Sequence, residues 1–163
     1  MASHKLRRIF LTTIGTMYDQ YGYPEYCGWI EGLMLLEPQE WTQKGISARL
    51  GELFPESKYP TSIPSVNRAL KVLETYGVVE KTGSRKTGYR YRVASSTNLG
   101  MSMLQQLIAV NRNFIASMRD LLARNKKRDA ALKRAVNAEI RGIGVWNEAL
   151  EKVLEYLASE KMG

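Results

Sequence analysis

At 163 residues, 44% hydrophobic and 25% charged, the chain has the size and make-up of one soluble globular domain with a substantial core. Its 24 Lys and Arg against 16 Asp and Glu leave a net charge of +8, which points to an anionic partner such as nucleic acid or an acidic membrane surface. One cysteine excludes an internal disulfide, one histidine in the N-terminal tail leaves no basis for a zinc or iron cluster, and no apolar run approaches the roughly 18 residues that span a bilayer.

The segment from His4 to Ile14 has a faint signal-peptide look, but its apolar run is short and Tyr18-Asp19-Gln20-Tyr21 stands where small residues should. Residues 4–21 are therefore predicted to be a helix, with Leu6, Ile9, Phe10, Thr13 and Met17 at helical spacing. With the lone Cys27, this predicts a cytoplasmic, reducing setting. Gly22-Tyr23-Pro24 breaks the helix, and residues 25–36 form a second, very apolar one ended by Glu37-Pro38. Gln39-Glu40-Trp41 reads as a short strand.

Thr42 is an N-cap for a helix over 43–54 that turns Ile46, Leu50 and Leu53 inward. Pro55 to Thr61 is a loop. Ser62 caps the next helix, 62–76, where Pro64 is tolerated because first-turn amides lack helical partners. Val66, Ala69, Leu70 and Leu73 share one face, while Pro64, Arg68, Lys71 and Thr75 point the other way. Gly77 is a C′ stop. Residues 78–82 and 89–94 are strands around a Gly83–Gly88 turn.

All five prolines lie between residues 24 and 64, so long helices can run unbroken afterwards. Helix 97–125 carries Met101, Ile108, Ile115 and Leu122 seven apart, with Leu104 and Met118 beside them and a third row of Leu107, Phe114 and Leu121. Helix 128–160 repeats the pattern with Val136, Ile143, Leu150 and Leu157, flanked by Ile140, Trp146, Val153 and Leu154. Such wide stripes need partners in the chain and in a second subunit.

The predicted fold is thus mainly α with a small β wing: a winged helix-turn-helix over 1–95, including the N-terminal helix, and a helical dimerisation region over 96–163. The wing region 78–94 holds Lys81, Arg85, Lys86, Arg90 and Arg92 against Glu80, a net of +4. Long cations on a hairpin can straddle a phosphate backbone and release counterions, and Arg85 at the tip can enter a minor groove. On the helix, Ser62, Ser65 and Asn67 can hydrogen-bond phosphates or base edges, and Arg68 and Lys71 can reach guanine or phosphate. Thr42 and Lys44, at the start of the preceding helix, complete the expected DNA-binding set. The partner these features imply is double-stranded DNA, bound by a homodimer. The competing reading is a protein-interaction winged helix whose basic wing meets an acidic partner.

Several stretches resemble the MarR-like winged-helix transcriptional regulators, and within them the GbsR-type branch. They are Gly22-x-Pro24, Gly28-x-Ile30-x-Gly32-Leu33-Met34-Leu35-Leu36, Pro64-Ser65-Val66-Asn67-Arg68-Ala69-Leu70-Lys71-Val72-Leu73-Glu74, Gly77-Val78-Val79 and Gly88-Tyr89-Arg90-Tyr91. The resemblance implies an obligate dimer built from helices at both chain ends, acting at a near-palindromic operator. The chain departs from the family in its longer Leu53–Thr61 segment and in Trp29, where the branch often has arginine.

Tyr18, Tyr21, Tyr23, Tyr26 and Trp29 place five aromatics within twelve residues. Such clusters either pack as core or cage quaternary ammonium groups. The resembled branch includes regulators that answer to choline-type ligands, so Tyr23, Tyr26 and Trp29 are the expected contacts for a small-molecule effector. Cys27 reads as a buried small hydrophobe. Residues 119–134 carry seven cations against two carboxylates; they read either as a solvated helix junction or as a second phosphate or partner site. No Cys–His pair, phosphate loop or outstanding carboxylate pair is present, so neither an enzymatic activity nor a cofactor is expected.

Overall fold

The computed structural model describes residues 3–57 and 60–162, so Lys58 and Tyr59 of the predicted 55–61 loop lie outside the described residues. Its elements run α1 (His4–Gln20), α2 (Glu25–Leu36), α3 (Gln43–Leu53), α4 (Ile63–Thr75), β1 (Val79–Ser84), β2 (Gly88–Val93), α5 (Thr97–Ala123) and α6 (Ala130–Met162). Two compact units result, Met1–Leu99 and Gly100–Gly163.

In the first unit α2 is the central helix. Every residue from Cys27 to Met34 is buried, and α2 touches α1, α3, α4 and β2. Its closest neighbour is α1, and the crossing is built on two glycines. A Cβ on Gly28 would lie 2.5 Å from the Gly15 nitrogen, and one on Gly15 would lie 2.7 Å from Glu25 Cγ. The backbones meet where no side chain fits. Around this crossing Leu11, Ile30, Leu33, Ile46, Leu50, Val66, Leu70, Leu73 and Val78 are essentially excluded from solvent. Each such aliphatic side chain contributes roughly 1.5–3 kcal/mol on burial.

Polar ties orient the helices. Glu37, at the end of α2, accepts from Arg7 of α1 at 3.4 Å and from Arg49 Nε of α3 at 2.9 Å, and its carbonyl accepts the Trp41 indole N–H at 3.1 Å. Thr42 and Ser62 cap α3 and α4, accepting from the Gly45 and Ser65 amides. Gly77 follows α4 at φ 72°, the left-handed stop its position predicts.

The β-sheet is the antiparallel β1–β2 hairpin, paired from Val79↔Val93 to Ser84↔Gly88. The expected strand at 39–41 contracts to one residue. Trp41 N–H donates to the Tyr91 carbonyl at 2.7 Å and Tyr91 N–H returns the bond at 2.8 Å, while Gln39 and Glu40 are exposed and unpaired with β2. The strands also extend further into the turn than their alternation predicts, leaving a tip of Arg85-Lys86-Thr87.

The second unit is an antiparallel helical hairpin. Ile108, Val136 and Leu150 are buried along it, and Asn111 Nδ2 donates to Asn147 Oδ1 at 3.1 Å. Arg112 pairs with Glu151 at 2.6 Å. Rows that heptad spacing assigns to packing divide here: Leu107, Trp146 and Val153 remain exposed. The turn between α5 and α6 is longer than expected, because Asp129 Oδ1 caps Leu132 and Asn125 holds both backbone groups of Asp129, delaying α6 to Ala130.

Candidate nucleic-acid interface

The amphipathic pattern of α4 sets what it displays. Val66, Ala69, Leu70 and Leu73 are buried, and Arg68, Lys71 and Thr75 face solvent. Arg68 reaches back so that Nη2 donates to the Ser65 hydroxyl at 3.3 Å. Asn67 is half-buried, and its Oδ1 accepts from Gln43 Nε2 at 2.9 Å.

Gln43 is a site residue that sequence reasoning misses. Its amide also lies 3.4 Å from the Tyr91 hydroxyl, so one side chain joins the start of α3, the outer half of α4 and the root of the wing. A polar residue at the first helical position has no periodicity to mark it; only the assembled fold reveals the role. Ser47 adds a second brace by donating to the Thr61 carbonyl just ahead of α4.

Three residues of the expected DNA-binding set have local partners. Ser65 is fully buried and cannot meet a phosphate. Its spacing to Ala69 and Leu73, four and eight residues on, already placed it on the inner stripe. The Ser62 side chain accepts from the Ser65 amide at 3.4 Å and donates to the Ser65 hydroxyl at 3.1 Å. The Thr42 hydroxyl accepts from the Gly45 amide at 3.0 Å. Ser62 and Thr42 are thus caps that hold helix starts. Lys44, next to Gln43, is exposed.

On the wing, alternation sorts the side chains by face. Val79 and Tyr91 turn inward and are buried, and Lys81, on their face, lies 4.0 Å from the ring centroid of Tyr89. Glu80, Thr82, Arg90 and Arg92 share the other face. Glu80 is committed to Arg92, with N–O separations of 2.9 and 2.8 Å, so these two charges offset each other. Among the described residues Arg85, Lys86 and Arg90 have no carboxylate partner, and all three are exposed. The tip that carries Arg85 and Lys86 is closed by reciprocal bonds: Ser84 N–H to Thr87 Oγ1 at 3.1 Å, and Thr87 N–H to Ser84 Oγ at 3.2 Å. The cations thus stand on a hairpin whose backbone is already ordered.

The aromatic segment packs against neighbouring side chains. Trp29 is 7% exposed and stacks on Phe54, with centroids 4.2 Å apart, and Arg8 lies over the Phe54 ring. Tyr23 makes an edge contact with Tyr76, their hydroxyls 2.7 Å apart. Tyr26 is half-buried, and none of the three lines a described cavity. The aromatics join α2 to the ends of α3 and α4. Cys27 is buried, and burial pushes its thiol up to about 12. Among the described residues no group of His, Cys, Asp and Glu is placed to hold a metal, and no helix is long and apolar enough to cross a membrane.

A winged helix with a basic hairpin is the architectural class these features define. No protein-family model matches the chain, and no curated protein matches it. Among solved structures, the crystal structure of a transcriptional regulator matches with a TM-score of 0.60 and 11% identity, over 94% of this chain and 98% of that one. At that identity the likeness is one of fold.

Proposed function

We propose that the protein is a homodimeric, sequence-specific regulator of transcription that binds double-stranded DNA, related to the MarR-like regulators of the GbsR type. α4 enters the major groove and the β1–β2 wing lies on the backbone beside it. The observation that carries this reading is the separation of charge on the wing. Glu80 is locked on Arg92, while Arg85, Lys86 and Arg90 project from an ordered hairpin beside a helix that shows Arg68 and Lys71.

Phosphate contacts from the wing supply affinity; Asn67 and Arg68 supply sequence choice. Gln43 fixes the Asn67 carbonyl, which leaves the amide as the donor edge for a base acceptor. Dimerisation is supported by the apolar face that α1 leaves open at Leu6, Ile9, Phe10 and Met17, and by Val145, Trp146, Val153 and Tyr156 on α6. Two such readers contact half-sites about one helical turn, roughly 34 Å, apart.

Duplex binding measured across a salt series tests the reading. Log affinity falls steeply with log salt, and Arg85→Ala with Lys86→Ala makes the slope shallower by about 2. Flat binding, or a slope indifferent to the wing, would instead support a protein-interaction module with an acidic partner.

A further inference from the structure

The α5–α6 turn holds a second concentration of positive charge. Seven cations lie between Arg119 and Arg134, against Asp120 and Asp129. We propose that this turn is a second, sequence-independent site for the phosphate backbone of duplex DNA. The proposal rests on the DNA-binding reading above.

Both carboxylates have local employment. Asp129 Oδ1 accepts the Leu132 amide at 3.1 Å as the cap of α6, and Asp120 lies 4.0 Å from Arg124, both of them exposed. The turn is also ordered. Asn125 Nδ2 donates to the Asp129 carbonyl and Asn125 Oδ1 accepts the Asp129 amide, each at 3.0 Å. Arg128 is held at φ 54°, the only positive φ among the described non-glycine residues. A β-carbon disfavours that conformation.

Two clefts flank the turn. One, of about 440 Å³, is lined by Arg124, Lys126 and Lys127 with Leu121, Leu132 and Asp129; the other, of about 580 Å³, by Arg128 and Lys133 with Leu122, Ala130 and Asp129. Lys126, Lys127, Arg128 and Lys133 are exposed and have no carboxylate partner among the described residues.

The surroundings select the class of polyanion. None of the large exposed hydrophobic side chains falls between Val110 and Val145. A membrane-binding surface needs an apolar face to enter the acyl layer, and a protein-docking surface needs aromatic or aliphatic anchors. The leucines in the two clefts are half-buried, and a cluster of exposed cations on a fixed turn with no exposed large hydrophobic side chain fits a regular array of phosphates.

The test uses the full-length protein, a random-sequence DNA duplex and a salt titration. It compares wild type with Lys126→Gln/Lys127→Gln/Lys133→Gln and with the wing variant Arg85→Gln/Lys86→Gln/Arg90→Gln. The expected result is that the turn variant lowers the salt slope by about 2–3, at roughly 0.9 for each phosphate no longer neutralised. The Lys→Arg triple at the same positions is expected to keep the wild-type slope. A turn variant with the wild-type slope beside a wing variant with a reduced one overturns this proposal and leaves the helix-and-wing reading standing. The reverse pattern supports the turn and overturns the helix-and-wing reading. A wild-type protein that binds no duplex overturns both. A reduced slope in the Lys→Arg triple assigns the effect to structure and overturns the proposal. Binding to an RNA duplex of equal length as tight as to DNA overturns its assignment to DNA.

Discussion

Glu31 is the charged residue most at odds with its surroundings. It sits on α2, 2% exposed, beside the buried Tyr18 side chain of α1. Burial raises its carboxyl above the ordinary value of 4.5. Between the ordinary value and the raised one, the folded protein therefore holds a proton that the unfolded chain has released. The resulting stability is fully present below about pH 4.5 and is lost as pH rises through the folded value. Glu31→Gln has no such proton to lose. Its melting temperature is expected to exceed that of wild type by a margin that widens from pH 5 to pH 8, reflecting about 1–3 kcal/mol of relieved desolvation. Parallel melting profiles for the two proteins would contradict this account. At this scale the sequence is least informative. It shows that Glu31 lies on an apolar helix, but the residues opposite it come from α1. Ser65 is the counter-example: its i+4 relation to Ala69 marks burial directly, and a polar side chain obscured it.

Elements are far more legible. The Thr42 and Ser62 caps, Pro64 in a first turn, Gly77 as a stop and the alternation on either side of Gly83–Gly88 encode α3, α4 and the wing through local chemistry, and the structure places them within two residues. What local chemistry cannot encode is how elements meet. The Gly28/Gly32 pattern marks a helix with a smooth face, but only the fold shows that Gly28 abuts Gly15, thirteen residues earlier. The backbone of α1 fills the space a methyl group would need, and backbone cannot rotate away as a side chain can. Gly28→Ala is expected to cost about 1–3 kcal/mol or more, lowering the melting temperature by several degrees. Gly142→Ala is the matched control, since a Cβ there meets nothing within 4 Å and α6 gains helix propensity. Equal melting temperatures for the two variants would show that the α1–α2 crossing is not closely packed. The aromatic segment makes the same point: proximity in sequence says nothing about which way α1, the Gly22 turn and α2 direct their rings.

For the whole molecule, the charge excess has a physical location. Much of it is carried by the wing and the α5–α6 turn, and ion pairs such as Arg49–Glu37 and Arg7–Glu37 tie helices together within the first unit. Long-range attraction to an acidic polymer follows from the net charge alone, and sequence choice does not. In the function proposed above, choice requires α4 to present Asn67 and Arg68 in a fixed register, and Gln43 and Ser47 brace α4 from α3. Selection from a random pool of DNA duplexes with the purified protein, run in parallel with Arg68→Ala, tests this most directly. A two-fold symmetric site with half-sites about 10 base pairs apart is expected. Arg68→Ala is expected to abolish preference at one or two positions in each half-site and to retain the rest. Recovery of no enriched sequence, or an identical site with Arg68→Ala, would contradict the assignment of α4 as the reading helix.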